Sequence, residues 1–135
     1  MPPEGLAMRS DMSEYYAVEE AAKKFVESVG SGDSAPAKEL FYDEAVMFGY
    51  LDGKLEHGPI QNLYDNIDTV GADPGYKARI DVLCIEETVA IVRVLEDNWG
   101  GRINFSDFLL LIKMDGQWKA VAKVYNQNSD TIRRN

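Results

Sequence analysis

Four β-rich segments fill most of the C-terminal half of the chain, and the links between them are short. The segments cover residues 78–85, 88–96, 103–113 and 118–126. The links are Glu86-Glu87, residues 97–102 and Asp115-Gly116. Such short links join strands that are adjacent and antiparallel, because a parallel crossover needs about a dozen residues or more. The sequence therefore predicts a four-stranded antiparallel meander.

The N-terminal half has helical periodicity instead. Asp11 and Glu14 have the spacing of a helix N-cap and its partner, and Gly30 and Gly32 are predicted to end this helix. The apolar positions between them recur in steps of three and four: Tyr15, Val18, Ala22, Phe25, Val26 and Val29. Residues 34–41, with Pro36 near their start, predict a second, short helix.

A hairpin and a third helix are predicted next. Residues 45–51 and 54–57 flank Asp52-Gly53, a pair typical of a two-residue turn. Gly58-Pro59 then precedes a helical pattern. Helices that come before a meander indicate the α+β class. We expect a cone-shaped, curved antiparallel sheet, made of the four-strand C-terminal meander and the short hairpin, packed against three N-terminal helices.

Length and charge limit the possible functions. The 135 residues suit one domain, which we place at residues 12–128, between a flexible leader (1–11) and a flexible tail (129–135). The formal net charge of −9 argues against nucleic acid and membrane surfaces as partners. The chain has no apolar run of membrane-helix length and no secretory signal, so we expect a cytoplasmic protein.

The sequence also argues against metal-dependent and thiol-dependent chemistry. The chain has one histidine, His57, and one cysteine, Cys84. A zinc site built from His and Cys needs more of these ligands, so we predict no metal and no cofactor. Cys84 lies in an apolar segment, and we expect it to be buried and inert.

The tight turns also predict a strand register, and with it the two faces of the meander. The predicted core face holds Ile80, Val82, Cys84, Val89, Ile91, Arg93, Leu95, Phe105, Asp107, Leu109, Leu111, Trp118, Ala120, Ala122 and Val124. The opposite, convex face is apolar as well, and an apolar surface of this extent indicates a partner. We expect a homodimer through the convex face. The alternative is a bend that lets the chain's own segments cover part of it.

Arg93 and Asp107 are the only charges inside the predicted core face, and the register puts them opposite each other. In a functional interpretation, Asp107 is a general acid or base and Arg93 anchors an acidic ligand. In a structural interpretation they form a buried salt bridge. We favour the second, because removing one partner of such a pair costs about 3–5 kcal/mol. A paired carboxylate would also have a lowered pKa, which suits a base poorly near neutral pH.

Four segments carry a resemblance to a known superfamily: 105–113, 115–119, 123–125, and 58–63 after the hairpin. With the order of elements, they resemble the nuclear transport factor 2-like superfamily, in its "putative lumazine-binding" branch beside the polyketide cyclase-like proteins. The resemblance implies a cone-shaped cavity and, commonly, a dimer through the sheet. Members include isomerases, cyclases, dehydratases and proteins without known activity, so the fold alone does not identify the function.

Other candidate site residues come from the N-terminal two-thirds of the chain. His57 ends the returning hairpin strand opposite Phe48, and its pKa range would suit an acid or base. A lone histidine at a strand end is more often a surface residue. Tyr16, Phe48 and Tyr64, with Arg93, are the predicted ligand-binding residues, since aromatic side chains can line a pocket for a flat or apolar molecule.

These observations leave three functions open. We prefer a domain that binds a small apolar or aromatic molecule. The second is a cofactor-independent isomerase, cyclase or dehydratase that acts by proton transfer, with Asp107 and His57 as candidate catalytic residues. The third is a dimerisation module whose cavity is filled. A carboxylate that is unpaired and reachable from solvent would favour catalysis over binding, whereas an Asp107 locked to Arg93 with no free histidine beside it would argue against catalysis.

Overall fold

The computed structural model describes residues 11–129, so the predicted leader and tail lie outside the described residues except at their inner ends. The elements in chain order are α1 (Met12–Ser31), α2 (Ala35–Leu40), β1 (Phe41–Leu51), β2 (Lys54–Pro59), α3 (Gln61–Val70), β3 (Lys77–Ile85), β4 (Val89–Trp99), β5 (Ile103–Met114) and β6 (Gln117–Gln127). The α+β class is confirmed. None of these helices is long and apolar enough to cross a membrane.

The six strands form one curved, open sheet in the order β2-β1-β6-β5-β4-β3. The meander β3 to β6 and the hairpin β1–β2 are antiparallel, as predicted. The pair β1–β6 is parallel. These two strands are far apart in the sequence, so no tight turn dictates their relative direction.

The two Asp-Gly turns form as predicted because both residues of each turn adopt positive φ. Asp52 and Gly53 have φ of 51° and 83°, and Asp115 and Gly116 have φ of 50° and 79°. Backbone of this kind matches the twist of the flanking strands. Helix α1 ends at Gly32 (φ 73°), whose N–H donates to the carbonyl of Ser28 at 2.9 Å.

The hydrophobic core lies between the helices and the inner face of the sheet. Fully buried residues of α1 and α3 pack against fully buried residues of the strands: Val18, Ala22, Phe25, Leu63, Ala90, Val92, Val94, Leu109, Leu111 and Ala120. Burying one such large aliphatic side chain contributes about 1.5–3 kcal/mol. The core therefore fixes the curved sheet over the helices and defines which strand positions point inward.

The predicted register between β4 and β5 is wrong by one residue, so the predicted inner and outer faces of β4 are exchanged. Val94, and not Arg93, lies opposite Asp107, while Arg93 lies opposite Phe108. The inner face of β4 therefore carries Ala90, Val92, Val94 and Glu96, and Val89, Ile91, Arg93 and Leu95 point outward. The cause is the loop between β4 and β5, where a register irregularity and a positive φ at Asn98 (63°) shift its centre away from Gly100.

The register of β6 begins as predicted and then changes. Leu111 lies opposite Ala120, but Leu110 lies opposite Ala122, because a β-bulge adds Val121 to the strand. A bulge of one residue exchanges the two faces beyond it. The prediction that Ala122 and Val124 face the core is therefore wrong, and Lys123 and Tyr125 point inward instead.

Strand β3 departs from the prediction as well. Its pairing with β4 puts Ile80 opposite Val94 and Asp81 opposite Arg93, and it is irregular between Val82 and Cys84. Cys84 is exposed, so the expectation of a buried thiol is wrong. Strand β3 is the last strand of the sheet, and side chains at an edge are covered less completely than those in its centre.

Candidate functional site

A buried ion pair lies at the centre of the inner face. The ammonium of Lys123 on β6 is 3.2 Å from Oδ1 of Asp107 on β5, and the exposed fractions of the two side chains are 1% and 0%. The bulge at Val121 creates this contact because it turns Lys123 inward, diagonally across from Asp107. The interior partner of Asp107 is thus Lys123, and the predicted pairing with Arg93 is wrong.

The ion pair lacks the hydrogen bonds that usually accompany buried charges. Within residues 11–129, the ammonium of Lys123 is the one donor close to the carboxylate of Asp107, and no second donor reaches either oxygen. Oε1 of Glu96 and Nε1 of Trp99 are also buried without a partner there. Buried polar atoms in native proteins nearly always have a hydrogen-bond partner, so a cluster of buried polar atoms that lack one is unusual.

Aromatic rings surround the ammonium of Lys123. It lies 4.4 Å from the ring centroid of Tyr125, 5.8 Å from that of Phe25 and 5.9 Å from that of Trp99. Ring faces attract a cation, and the attraction is larger where water is excluded. Phe105 packs edge-on against both Trp99 and Tyr125, with centroids 5.4 Å apart in each case. The pair is therefore held in an apolar, aromatic enclosure.

Burial changes the acidity of this region. It raises the pKa of Asp107 above its ordinary value, and the nearby ammonium of Lys123 offsets only part of the rise. Burial, followed by the charge of Asp107, also raises the pKa of Tyr76, whose hydroxyl donates to Oε2 of Glu96 at 2.6 Å. The interior thus contains two carboxylates, an amine and a phenol in a low-dielectric setting, where proton affinities depart furthest from those in water.

A cleft of about 290 Å³ opens between the β1–β2 hairpin, α3 and β6. The side chains that define it include Met47, Leu51, Glu56, Asn62, Asp65 and Tyr125. Its volume is close to the lower limit for small-molecule sites, about 300 Å³. Tyr125 is the residue that the cleft shares with the aromatic enclosure, since its ring also contacts the ammonium of Lys123.

Gly49 determines where the Tyr125 ring lies. The two residues are neighbours across the parallel pair β1–β6. A Cβ atom at Gly49 would lie 2.6 Å from three ring carbons of Tyr125, so the ring occupies the space above the glycine. Burial, then the charges of Glu56 and Asp107, raise the pKa of Tyr125 to about 12. The Tyr125 ring thus lies in a buried setting close to two carboxyl groups.

The predicted site residues fall into different parts of the molecule. Asp107 lies in the buried cluster. His57 lies opposite Phe48, as predicted, with their rings stacked at a centroid distance of 5.9 Å. Phe48 is on the outer face and 42% exposed, whereas His57 also borders the cleft. The structure does not bring His57 together with Asp107 in any contact among the described residues, and the catalytic role of each stays a prediction.

The remaining predicted ligand residues lie outside the buried cluster. Tyr16 on α1 is 58% exposed. Tyr64 on α3 is buried against Phe41 and Lys38, away from the residues that define the cleft, and burial raises its pKa to about 12. Arg93 is on the outer face, where its guanidinium is 2.9 Å from Oδ2 of Asp81. Their roles in ligand binding stay predictions.

The sequence analysis did not identify Lys123, Tyr125 and Glu96 as site residues. A signal was present in the triplet 123–125 and in Glu96, since charged residues inside otherwise apolar strands are rare. Strict alternation along the strand, with Val124 on the predicted core face, places Lys123 and Tyr125 on the convex face, and Glu96 is the last residue of its predicted segment. A bulge is not detectable from alternation alone.

Comparison with known proteins agrees with this fold. Residues 13–126 match the family described as "Putative lumazine-binding". A protein from Cladobotryum sp named aldolase FrzH is 35% identical over 121 residues, which are 90% of this chain and 97% of that protein.

Two solved structures are similar along their whole length. One is an NTF2-like protein of unknown function from Shewanella baltica, 36% identical with a TM-score of 0.82, covering 90% of this chain and 98% of that one. The other is an NTF2-like protein of unknown function from Methylobacillus flagellatus, 31% identical with a TM-score of 0.84, covering 93% and 100%. The chain therefore belongs to the family described as "Putative lumazine-binding", within the nuclear transport factor 2-like superfamily.

Proposed function

We propose that this protein is a cofactor-independent enzyme that moves a proton at a carbon atom beside a carbonyl group, the step shared by aldol reactions and keto–enol isomerisations. Asp107 is the acid and base, and the charge of Lys123 stabilises the negative oxygen that forms when the proton leaves. The substrate is a small carbonyl compound with an apolar or aromatic body. Of the three functions that the sequence leaves open, we therefore propose the second, proton transfer, rather than binding alone.

The observation that carries the proposal is the state of Asp107. Its side chain is fully buried, 3.2 Å from the ammonium of Lys123, and no other described residue donates a hydrogen bond to it. A carboxylate that serves only to hold the sheet should have its lone pairs satisfied, since a buried pair contributes little stability otherwise. A carboxylate with Lys123 as its one described donor keeps lone pairs that can accept a proton.

The direction of the pKa shift suits this role. Burial raises the pKa of Asp107, which brings its proton affinity closer to that needed near neutral pH. In this proposal the Lys123 charge stabilises the developing oxyanion, and in an environment of low dielectric such a contact is worth more than in water. The similarity to a protein named an aldolase supports carbonyl chemistry.

The test is exchange of carbon-bound protons. Purified protein in D₂O would be incubated with cyclohexanone or with phenylacetaldehyde, and loss of the α-proton signals followed by NMR. We expect exchange above the buffer rate with the wild type and about 10²–10⁴-fold slower exchange with Asp107→Asn. Arg79→Gln, on the surface of β3, is the control and should match the wild type. Equal rates for wild type and Asp107→Asn, or no exchange of either compound, would contradict the proposal.

We also propose that a second copy of the chain covers the outer face of the sheet. Apolar side chains on four adjacent strands are between 37% and 62% exposed there: Val46, Phe48, Tyr50, Leu55, Phe108, Leu110 and Val124. An apolar surface that spans neighbouring strands is typical of an interface. Sedimentation should show a dimer for the wild type and a monomer for Phe108→Glu. Val70→Glu on α3 should remain dimeric, and a monomeric wild type would contradict the proposal.

A further inference from the structure

The geometry around Lys123 points to a covalent role for this residue: we infer that its amine forms an iminium ion with the carbonyl carbon of the substrate. The inference rests on the proposed function and deepens it, because it replaces charge stabilisation by Lys123 with covalent catalysis. The ligand class is an aldehyde or ketone. The reactive group is Nζ of Lys123, and Asp107 is its proton partner.

The first argument is that the pair can hold its proton on either side. The ammonium of Lys123 and Oδ1 of Asp107 are 3.2 Å apart. Transfer of one proton across this distance gives a neutral amine beside a carboxylic acid, with no change in the total charge of the pair. Burial disfavours charged forms, and both side chains are almost completely buried. A neutral amine is the form that attacks a carbonyl carbon.

The second argument is the surroundings of the amine. Its neighbours are the rings of Tyr125, Phe25 and Trp99 and the carboxyl group of Asp107. Desolvation of a lysine among apolar groups favours the neutral, nucleophilic amine. The carboxyl group of Asp107, 3.2 Å away, is the group that would take the proton of Lys123.

The third argument is the position of Tyr125. Its ring contacts the ammonium of Lys123 and also forms part of the wall of the 290 Å³ cleft. Tyr125 is therefore the side chain that lies between the cleft and Nζ. The covalent role requires this side chain to move aside so that a carbonyl compound in the cleft reaches the amine.

The steps balance with water as the co-reactant. The amine lone pair of Lys123 forms the C–N bond, the carbonyl π pair moves to oxygen, and a proton passes from nitrogen to that oxygen. The hydroxyl group leaves as water with the proton of Asp107, which gives the iminium ion and the Asp107 carboxylate. This carboxylate takes the α-proton, and the C–H electron pair forms the enamine. Protonation of the enamine carbon and addition of water return the carbonyl compound and the free amine.

The experiment is reductive trapping followed by peptide mass spectrometry. Wild-type protein would be treated with phenylacetaldehyde and sodium borohydride, which converts an iminium ion to a stable amine. We expect one adduct, on Lys123, at aldehyde concentrations that leave Lys119 unmodified. Lys119 is the matched control, because it is on the same strand and only partly buried, and its ammonium donates to the carbonyl of Glu39. Lys119→Met should retain the adduct, whereas Asp107→Asn should trap at least tenfold less.

The outcomes distinguish this inference from the proposed function. Exchange by the wild type with no adduct on Lys123 would overturn the covalent role and leave the proton-transfer function standing. An adduct on Lys123 without exchange would support the covalent role and overturn the function assigned to Asp107. Exchange that persists in Lys123→Met also overturns the covalent role. Labelling of wild-type protein does not depend on whether that variant folds.

Discussion

Two ion pairs on opposite faces of the sheet, Arg93–Asp81 and Lys123–Asp107, differ in burial and in hydrogen bonding. On the outer face, Arg93 lies 2.9 Å from Asp81, with exposed side-chain fractions of 39% and 16%. Asp81 also accepts a hydrogen bond of 2.8 Å from Arg79. On the inner face, Asp107 and Lys123 are 0% and 1% exposed, and within residues 11–129 Asp107 has no hydrogen-bond donor other than Lys123.

The acidity of the two carboxyl groups shifts in opposite directions. The hydrogen bond from Arg79, and then that from Arg93, lower the pKa of Asp81. Burial raises the pKa of Asp107 in spite of Lys123. An aspartate paired with a basic residue thus forms a partly exposed contact on one side and a fully buried one, with a raised carboxyl pKa, on the other. Solvent access, and not the charges, makes the difference.

The largest expected effect is the loss of one inner partner. Asp107→Ala leaves the ammonium of Lys123 buried without a counter-charge, and we expect the free energy of unfolding to fall by about 3–5 kcal/mol. The double variant Asp107→Leu with Lys123→Met replaces the pair by apolar groups and should recover most of that loss. Urea unfolding measures both. If Asp107→Ala were as stable as the wild type, the inner ion pair would contribute no more to the free energy of unfolding than the outer one.

A smaller effect is expected at the wall of the enclosure. Gly49→Ala would place a methyl group 2.6 Å from ring carbons of Tyr125, so the ring must shift. We expect a loss of about 1–3 kcal/mol in the free energy of unfolding, typical of overpacking. Gly75→Ala is the control, because its nearest contact would be 3.7 Å and its φ is not positive. Equal stability of both variants would mean that Tyr125 is free to move.

The pH dependence of stability sharpens the comparison further. The pKa of Asp107 is raised in the folded state, so the folded protein binds this proton more tightly than the unfolded chain. The resulting stability is present in full below about pH 3.9, the unfolded value, and is lost as the pH rises through the folded pKa. On acidification from pH 7, the free energy of unfolding of the wild type should therefore rise relative to that of Asp107→Asn. A fall of the wild-type value relative to the variant would indicate that the folded-state pKa of Asp107 is lowered.

The smallest effect is expected on the outer face. Arg93→Gln removes a contact that water already screens, and Asp81 keeps its hydrogen bond from Arg79. We expect almost no change in the urea midpoint. A loss as large as that of Asp107→Ala would show that the outer face is covered in solution, as it would be in the proposed dimer, and the midpoint would then depend on protein concentration.

Much of the fold could be predicted because local rules governed it. The two Asp-Gly turns, the helix stop at Gly32 and the four strands of the meander each depend on a few adjacent residues. The candidate site was predicted in part: Asp107 was correctly placed on the inner face, but with the wrong partner. The register across the β4–β5 loop and the bulge at Val121 decided that partner, and neither has a local sequence signal.

By itself, the sequence determined the class of fold, the order of its elements, the tight turns and the placement of Asp107 inside an apolar sheet. These follow from hydrophobic period and turn chemistry, which act between residues close together in the chain. The tertiary structure alone decided that Lys123 and Tyr125 turn inward and Arg93 outward. The reason is that side chains along a strand alternate between the two faces with a period of two. One extra residue in a strand therefore moves every later side chain to the opposite face. Packing against the helices determines where that extra residue lies.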